Sequence, residues 1–283
     1  MTTEDFAWLD QQYNPLLALP DSPTLFGRWA TASAQVRANF PCEIDLRYGA
    51  GPRQTLDWFS AQRDDAPVLV FIHGGYWRGS DKAAHGFIAP PFLGRGCDVV
   101  LLNYDLCPDV TIATIAQQVC EGIAHVHRTL RTRGRETARL VVTGHSAGGH
   151  LAAMALTCEW KTVGADLPAE LVTRGLALSG LFELEPFRHA PFLKGTVRLD
   201  LESVRRLSPA RFPPPAGRVL HAMVGALETR AFHRQTQDIA DAWGPAVVPR
   251  HGQVPGADHF TIVETFAKHD SSLQQMAFDL LDL

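Results

Sequence analysis

The stretch Leu140-Val141-Val142-Thr143-Gly144-His145-Ser146-Ala147-Gly148 leads from a short apolar segment into an alanine-rich segment that continues to Leu156. This order predicts a strand, a tight turn that carries Ser146, and a helix. Glycine suits the positions two residues before and after the serine, because side chains there would clash in so tight a turn. Ser146 would then lie at the helix N-terminus, where free backbone N–H groups point at any anion formed beside it. The stretch therefore predicts an exposed serine nucleophile.

Apolar segments alternate with segments of helical periodicity over most of the chain. Residues 68–72 and 99–102 are continuous apolar runs, which are typical of strands buried on both faces. Between residues 111 and 131, apolar side chains recur every three or four positions and predict an amphipathic helix. Further expected elements are a hairpin (43–48 and 54–60), a helix (83–94) and strands at 175–178, 219–224 and 246–250. The alternation predicts an α/β fold with a mostly parallel central sheet and helices on both faces.

The whole chain, residues 1–283, is expected to form a single domain, because α/β folds often reach this length. Residues 1–40 show loose helical spacing and are expected to form an N-terminal helical extension wrapped on the core. Residues 181–215 interrupt the alternation and are rich in proline, so we expect a small lid-like insertion over the functional site. In parallel sheets that site lies at the carboxyl ends of the strands.

Composition and charge exclude several classes of function. The chain is 46% hydrophobic and 20% charged with a net charge of −4, so neither nucleic acid nor an anionic membrane is an expected partner. Its N-terminus lacks the basic and apolar regions of a secretory signal, and no apolar stretch approaches the length of about 18 residues that spans a membrane. The five cysteines include no CxxC pair and are expected to be free thiols, so the cytoplasm is the expected location.

A serine nucleophile needs a base within hydrogen-bonding distance and a carboxylate that orients the base. His259 suits the base, since it follows the last expected strand in a loop that precedes a helix. Glu228 suits the acid, since it lies just past the strand expected at 219–224, although a solvent-facing glutamate near a helix start would have the same position. Asp258 is expected to be a turn or helix-capping residue, because the side chains of neighbouring residues usually diverge.

Backbone donors for a developing oxyanion are expected from two places. One is the N–H of Ala147, directly after the serine. The other is the loop His73-Gly74-Gly75-Tyr76-Trp77, whose glycines allow a close approach of the backbone to a reacting carbonyl. Gly75 and Tyr76 are the predicted donors of that loop. Two such motifs, each directly after an expected buried strand, favour acyl-transfer chemistry.

Several of these segments resemble the serine-hydrolase arylformamidases, or kynurenine formamidases, which have the α/β-hydrolase fold. The resemblance covers most of the chain, from Tyr48 to Phe266. The serine segment and the glycine loop are shared with wider esterases, whereas residues 103–108 and 232–235 are more specific to this family. The segments that carry the resemblance are His73-Gly74-Gly75-Tyr76-Trp77-Arg78 with Lys82, Asn103-Tyr104-Asp105-Leu106-Cys107-Pro108, Gly144 to Leu151, Glu228 with Phe232-His233-Arg234-Gln235, and Asp258-His259-Phe260.

The resemblance implies that Ser146 is the nucleophile, His259 the base and Glu228 the acid, although the family often has aspartate at the last position. It also implies hydrolysis of N-formyl-kynurenine to kynurenine and formate through a formyl-enzyme. The residue chemistry alone leaves a general carboxylesterase open, since the same groups cleave small acyl esters. A non-catalytic binding protein of the same fold is disfavoured, because all three types of catalytic side chain are present.

The aromatic leaving group of such a small-molecule substrate needs flat apolar walls. The candidates for these walls are Trp77, Tyr104 and Phe182, together with Tyr76 and Phe187. No cofactor and no metal are expected, because His125 and His127 would point to different faces of a helix and the chain has neither an HExxH motif nor zinc-ligand spacing. The sequence does not determine the oligomeric state, and a homodimer is compatible with it.

Overall fold

The computed structural model describes residues 3–19, 21–135 and 139–283. Within them, the centre of the molecule is one eight-stranded sheet with the strand order β1-β2-β4-β3-β5-β6-β7-β8, where the strands are β1 (Cys42–Arg47), β2 (Thr55–Phe59), β3 (Val68–Ile72), β4 (Asp98–Leu102), β5 (Leu140–His145), β6 (Arg174–Leu178), β7 (Val219–Gly225) and β8 (Arg250–Val254). The β1–β2 and β2–β4 pairs are antiparallel, and the other pairs are parallel. The predicted α/β class with a mostly parallel sheet is therefore confirmed.

The α-helices of the described chain are α1 (Thr3–Tyr13), α2 (Ser22–Asn39), α3 (Ala89–Leu93), α4 (Ile112–Thr132), α5 (Ala147–Leu156), α6 (Trp160–Val163), α7 (Leu201–Leu207), α8 (Arg230–Val247), α9 (Thr261–Ala267) and α10 (Ser272–Leu281). Short 3₁₀ segments lie at Pro15–Leu17, Lys82–Ile88, Glu185–Arg188, Pro191–Leu193 and Pro209–Arg211. None of the helices in these described ranges has the length and apolar character needed to cross a bilayer.

Side chains alternate between the two faces along each inner strand, and both faces are covered. In β3, Val68, Val70 and Ile72 belong to a core cluster with α4 and α5. Leu69 and Phe71 belong to a second cluster on the opposite face with α9 and α10. All five side chains are at most 1% exposed. Burial on both faces explains why this strand consists of consecutive apolar residues.

Two predicted elements differ from the structure. The helix expected at 83–94 is mainly the 3₁₀ segment at 82–88, followed by the short α3, because Pro90 and Pro91 can begin a helix but cannot lie inside one. The last strand is β8 rather than 246–250, since residues 246 and 247 complete α8. Strand β8 lies at the edge of the sheet and exposes most of its polar side chains, so it lacks the apolar run that marks the inner strands.

The N-terminal helices lie against both core clusters. Tyr13 of α1 is buried in the cluster that contains α4 and α5, whereas Trp29 of α2 is buried in the cluster on the opposite face. The indole N–H of Trp29 donates to Glu264 Oε1 at 2.9 Å, which links α2 to α9. These contacts hold the expected extension, residues 1–40, on the core; residues 1–2 and 20 lie outside the described part of the chain.

Residues 181–215, the segment expected to form a lid-like insertion, connect β6 to β7 through α7 and three short 3₁₀ segments. Apolar side chains of this segment join the core cluster with α4 and α5, among them Leu181, Leu184, Leu193 and Val204. Phe192 and Thr196 instead line the cavity that contains Ser146. A lid function for this segment stays a prediction.

Several buried histidines are held in their neutral form, His73, His85 and His150 among them. Burial lowers the pKa of His73 and His150 to about 4 and the pKa of His85 to about 3. The contacts of His150 show the physical reason, since its Nε2 donates to the carbonyl of Leu207 at 2.7 Å and its Nδ1 accepts from the indole N–H of Trp77 at 3.2 Å. A second proton, on Nδ1, would point at the indole N–H of Trp77 and would have no acceptor.

We expect the protein to lose stability on acidification because of these histidines. The unfolded histidines have pKa values of about 6.5, so between about pH 6.5 and pH 4 the unfolded chain takes up protons that the folded chain does not. The free energy of unfolding should therefore fall as the pH falls through this window, by roughly 1 kcal/mol per pH unit for each histidine. Urea denaturation followed at about pH 7 and about pH 5 measures the decrease.

A matched pair of variants tests the assignment to buried histidine. His150→Gln retains a donor and an acceptor but removes one titrating group, so the loss of stability between the two pH values should become smaller. His269→Gln changes an exposed histidine and should leave that loss unchanged. Equal pH dependence in His150→Gln and the unmodified protein would contradict the assignment.

Candidate active site

Ser146 occupies the turn between β5, which ends at His145, and α5, which begins at Ala147. Its φ of 56° and ψ of −118° lie in a region that residues other than glycine rarely adopt. The neighbouring strand holds this conformation, because the Ser146 N–H donates to the carbonyl of Leu178 at the end of β6 at 2.8 Å. The predicted strand, turn and helix are confirmed, and the serine lies at the carboxyl end of the inner strands.

The two glycines around the serine are required by close backbone packing. A Cβ atom at Gly148 would lie 2.0 Å from the carbonyl oxygen of Ile72, and one at Gly144 would lie 2.2 Å from the carbonyl oxygen of Gly148. Both contacts are with backbone atoms, which cannot move aside as the end of a flexible side chain would. Glycine at these positions lets the start of α5 pack directly on the ends of β3 and β5.

Glu228 and His259 form a buried pair, although they are 31 positions apart in the chain. His259 Nδ1 lies 2.6 Å from Glu228 Oε2, and the two side chains are 6% and 1% exposed. Glu228 lies in the turn between β7 and α8, and His259 lies in the loop between β8 and α9. A carboxylate at Nδ1 orients the ring with Nε2 on its far side and stabilises a positive charge on the imidazole.

Ser146 and His259 line the same cavity, but no hydrogen bond joins the serine hydroxyl to the imidazole in this structure. The structure therefore brings His259 and Glu228 into contact, and it places Ser146 in the wall of the cavity that His259 also lines. Hydrogen bonds of this kind are often long in enzymes without substrate and shorten when the substrate is bound.

Two further donors orient the Glu228 carboxylate. Its Oε1 accepts from the Ser179 hydroxyl at 2.5 Å and from the Gly225 N–H at 2.7 Å. Ser179 directly follows β6, is fully buried and has a φ of 52°. Ser179 is not among the predicted site residues, although a polar residue directly after a buried strand is a signal that could have identified it.

His145 and Phe232 contact His259 and restrict its movement. His145 Nε2 donates to the backbone carbonyl of His259 at 2.6 Å, and the two rings lie 4.7 Å apart. Burial lowers the pKa of His145 well below its ordinary value, so this ring is neutral and does not repel a proton on His259. The ring of Phe232 lies 4.3 Å from the His259 ring.

The loop after β3 lies against the serine turn, since a Cβ atom at Gly74 would come within 3.1 Å of Ser146 Cβ. Gly75 and Tyr76 follow with φ angles of 99° and 50°. Within the described residues, the backbone N–H groups of Gly75, Tyr76 and Ala147 donate to no protein acceptor. The three predicted oxyanion donors therefore lie in the two segments that flank the serine, and their hydrogen-bonding capacity is unused.

The cavity that contains Ser146 and His259 has a volume of about 750 Å³. Its apolar wall comes from the N-terminal helices, the segment 181–215 and the loops after β3, β4 and β8. The large side chains of this wall are Leu16, Phe26, Trp29, Tyr76, Pro108, Phe192 and Phe260. Its size and lining fit a small organic molecule with a flat apolar part.

The aromatic residues predicted to form this wall are mostly in the core instead. Four candidates are buried and do not line the cavity, namely Trp77, Tyr104, Phe182 and Phe187. Tyr104, for example, stacks on the ring of His73 with the ring centres 4.3 Å apart. Tyr76 does line the cavity. The prediction was wrong for these four residues because position in the sequence does not show which side chains turn into the core, and most of the wall comes from segments distant in sequence.

Asp258 is a helix-capping residue, as predicted. Its Oδ1 accepts from the backbone N–H groups of Phe260 and Thr261, both at 2.8 Å. Its carboxylate therefore caps the start of α9, and the carboxylate that contacts the His259 ring is that of Glu228. Among the residues that the structure describes, no group of three or more His, Cys, Asp or Glu side chains is arranged to hold a metal ion.

A sheet of this order with a serine on the turn after an inner strand is the architecture of the α/β-hydrolases, and the chain is a hydrolase of this class. Over 84% of its length it is 27% identical to the kynurenine formamidase of Salmo salar, of which it covers 81%. The kynurenine formamidase of Danio rerio is 25% identical, with the same coverage of both chains. The resemblance to this family that the sequence motifs indicate is confirmed.

The BD-FAE family model matches residues 56–169, which include the loop after β3 and the serine turn. Among solved structures, a protein from Silicibacter sp. TM1040 that is provisionally assigned as a thioesterase has a TM-score of 0.83. It is 26% identical, and the match covers 94% of this chain and 97% of that one. The structural similarity thus includes the segments that carry Glu228 and His259, which lie beyond the BD-FAE match.

Proposed function

We propose that the protein is a serine hydrolase of N-formyl aryl amides, and that it converts N-formyl-kynurenine into kynurenine and formate. Ser146 is the nucleophile, His259 the base and Glu228 the acid of the proposed triad. The observation that carries the proposal is the buried contact of 2.6 Å between Glu228 and His259, beside a cavity that Ser146 also lines. The two kynurenine formamidases to which the chain is similar support the choice of substrate.

In the first half of the reaction, Ser146 Oγ attacks the formyl carbon while His259 Nε2 accepts the hydroxyl proton. The oxyanion that forms receives hydrogen bonds from backbone N–H groups, each of which typically lowers the barrier by about 3 kcal/mol. These donors are Gly75, Tyr76 and Ala147. The C–N bond then breaks as His259 delivers its proton to the arylamine nitrogen, which leaves a formyl ester on Ser146.

In the second half, water attacks the formyl ester with His259 as the base, and formic acid leaves as His259 returns the proton to Ser146 Oγ; the acid then ionises to formate. The same imidazole therefore accepts and delivers a proton twice in each turnover. Glu228 keeps the proton on Nδ1, so Nε2 remains the nitrogen that exchanges protons with the substrate. The contacts of Glu228 with Ser179 and Gly225 hold the carboxylate in the position that this role needs.

A carboxylesterase that acts on small acyl esters is the second candidate, and the similarity to an isoprenylcysteine methylesterase of Arabidopsis thaliana, 30% identical over 57% of this chain, favours it. The cavity of about 750 Å³ with its apolar wall would hold a small ester as well as an aryl formamide. The same nucleophile, base and oxyanion donors would cleave an ester. The two candidates differ in the bond that is broken, so substrate preference distinguishes them.

Hydrolysis of N-formyl-kynurenine, measured beside that of short p-nitrophenyl esters, tests the proposed function. Each kcat/KM is divided by the uncatalysed rate constant of the same substrate, because p-nitrophenolate is a much better leaving group than an arylamine. We expect this ratio to be larger for the formamide by at least about 100-fold. A larger ratio for the esters, by orders of magnitude, would identify a carboxylesterase instead.

A further inference from the structure

Within the described residues, the cavity at Ser146 contains one arginine whose charge no carboxylate neutralises. Arg78 is half-buried in the cavity wall, and its guanidinium contacts the Thr196 hydroxyl at 3.3 Å and the Phe192 ring at 5.8 Å. Both partners are uncharged. The carboxylate in this wall, Asp81, is already paired, since its Oδ2 lies 3.0 Å from Arg53 Nη2. The positive charge of Arg78 is therefore available to a ligand.

The histidines of the cavity add no second positive charge at neutral pH. Burial lowers the pKa of His85 to about 3 and the pKa of His145 well below its ordinary value, so both rings are neutral. His259 is paired with the Glu228 carboxylate. Among the residues that line the cavity, Arg78 is consequently the side chain whose charge can hold an anionic group of a ligand.

Arg78 belongs to the same turn as the proposed oxyanion donors. Its N–H donates to the carbonyl of Gly75 at 3.0 Å, and residues joined in this way have Cα atoms within about 7 Å of each other. The base of the arginine side chain is thus fixed close to the position of the reacting carbonyl. A substrate with its formyl carbon at Ser146 would place its leaving group in the cavity that Arg78 lines.

We propose that Arg78 binds a carboxylate on the leaving group of the substrate, so that the enzyme selects aryl formamides that carry this carboxylate over those that lack it. This inference rests on the proposed function. Arginine binds carboxylates through two parallel N–H···O hydrogen bonds, and an apolar setting strengthens them. The hydroxyl of Thr196 adds a hydrogen-bonding group beside the guanidinium. N-formyl-kynurenine carries such a carboxylate at its amino-acid end.

Two matched substrate pairs test the role of Arg78. One pair is N-formyl-kynurenine and its carboxamide, and the other is meta-acetoxybenzoate and phenyl acetate, which carry the same difference in charge on an ester. Arg78→Met should lower kcat/KM for the member of each pair that carries the carboxylate by about 10- to 100-fold, mainly through a higher KM. The member without the carboxylate should change by less than about threefold. Arg78→Lys should recover part of the loss, because lysine retains the charge but not the paired N–H groups.

Arg205→Met is the matched control, since it removes an exposed arginine of α7. It should leave kcat/KM unchanged for both members of each substrate pair. Equal losses on the members with and without the carboxylate, or no loss on either pair, would overturn the role of Arg78. Failure of the proposed function gives a different result. The unmodified protein would then hydrolyse neither formamide, and the ester pair would still report whether Arg78 binds the carboxylate.

Discussion

Replacement of Ser146 by alanine is expected to lower kcat by about 10⁴- to 10⁶-fold on every substrate that the protein hydrolyses. Without the hydroxyl no formyl-enzyme can form, and the only remaining route is direct attack by water. The activity that remains would come from the oxyanion donors and from substrate binding. The fold should be unaffected, because the serine hydroxyl makes no hydrogen bond to the rest of the described chain and alanine retains the Cβ atom at this turn.

Labelling with a fluorophosphonate, which reacts covalently with an activated serine, tests directly whether Ser146 is the nucleophile. The unmodified protein should incorporate one equivalent of the label, and peptide mapping should locate it at Ser146. Ser146→Ala should incorporate none, whereas the exposed Ser272→Ala should react like the unmodified protein. Full labelling or full activity of Ser146→Ala would show that another residue is the nucleophile.

Replacement of Glu228 by glutamine is expected to lower kcat by about 10³- to 10⁴-fold. A neutral amide cannot stabilise the positive charge that His259 acquires as it accepts the serine proton. The amide can also present its NH₂ group to Nδ1, which would favour the ring tautomer that has its proton on Nε2 and cannot act as the base. Because Glu228 is 1% exposed and makes three close contacts, water cannot replace the missing carboxylate.

A series of three variants separates the charge of Glu228 from its packing. Glu228→Asp retains the charge but is one methylene shorter, so it cannot keep its contacts with His259, Ser179 and Gly225 together and should lose about 10- to 100-fold in kcat. Glu202→Gln, on the exposed face of α7, should have no effect. Circular dichroism spectra and thermal unfolding of the variants would exclude misfolding as the cause. Activity of Glu228→Gln within about tenfold of the unmodified protein would show that another group orients His259.

Several features of the fold are predictable because they depend on short segments of the chain. The apolar runs of β3 and β4 predict strands buried on both faces, and the structure contains both. The amphipathic spacing of residues 111–131 predicts α4, which the structure places at Ile112–Thr132. The edge strand β8 lies four residues later at each end than the strand expected at 246–250, because an edge strand with exposed side chains has no such apolar run.

Some residues of the site can likewise be predicted from a short segment of the chain, whereas others cannot. The serine turn could be predicted from the chain itself, since the glycines around Ser146 reflect packing within one strand, turn and helix. Position also indicated Glu228 and His259, although position alone could not distinguish a buried acid from a glutamate on the surface. The contact of 2.6 Å between them depends on how β7 and β8 pair in the sheet.

The surroundings of these residues are a property of the tertiary structure. Ser179 reaches Glu228 across 49 positions of the chain because β6 and β7 are neighbours in the sheet. Trp29 and Phe192 come to the same cavity from the N-terminal helices and from the segment between β6 and β7. The charge of Arg78 is significant because no carboxylate of the described residues contacts it. A strand or a turn follows from interactions between near neighbours in the chain, whereas a cavity wall and an unpaired charge are defined by contacts between distant segments.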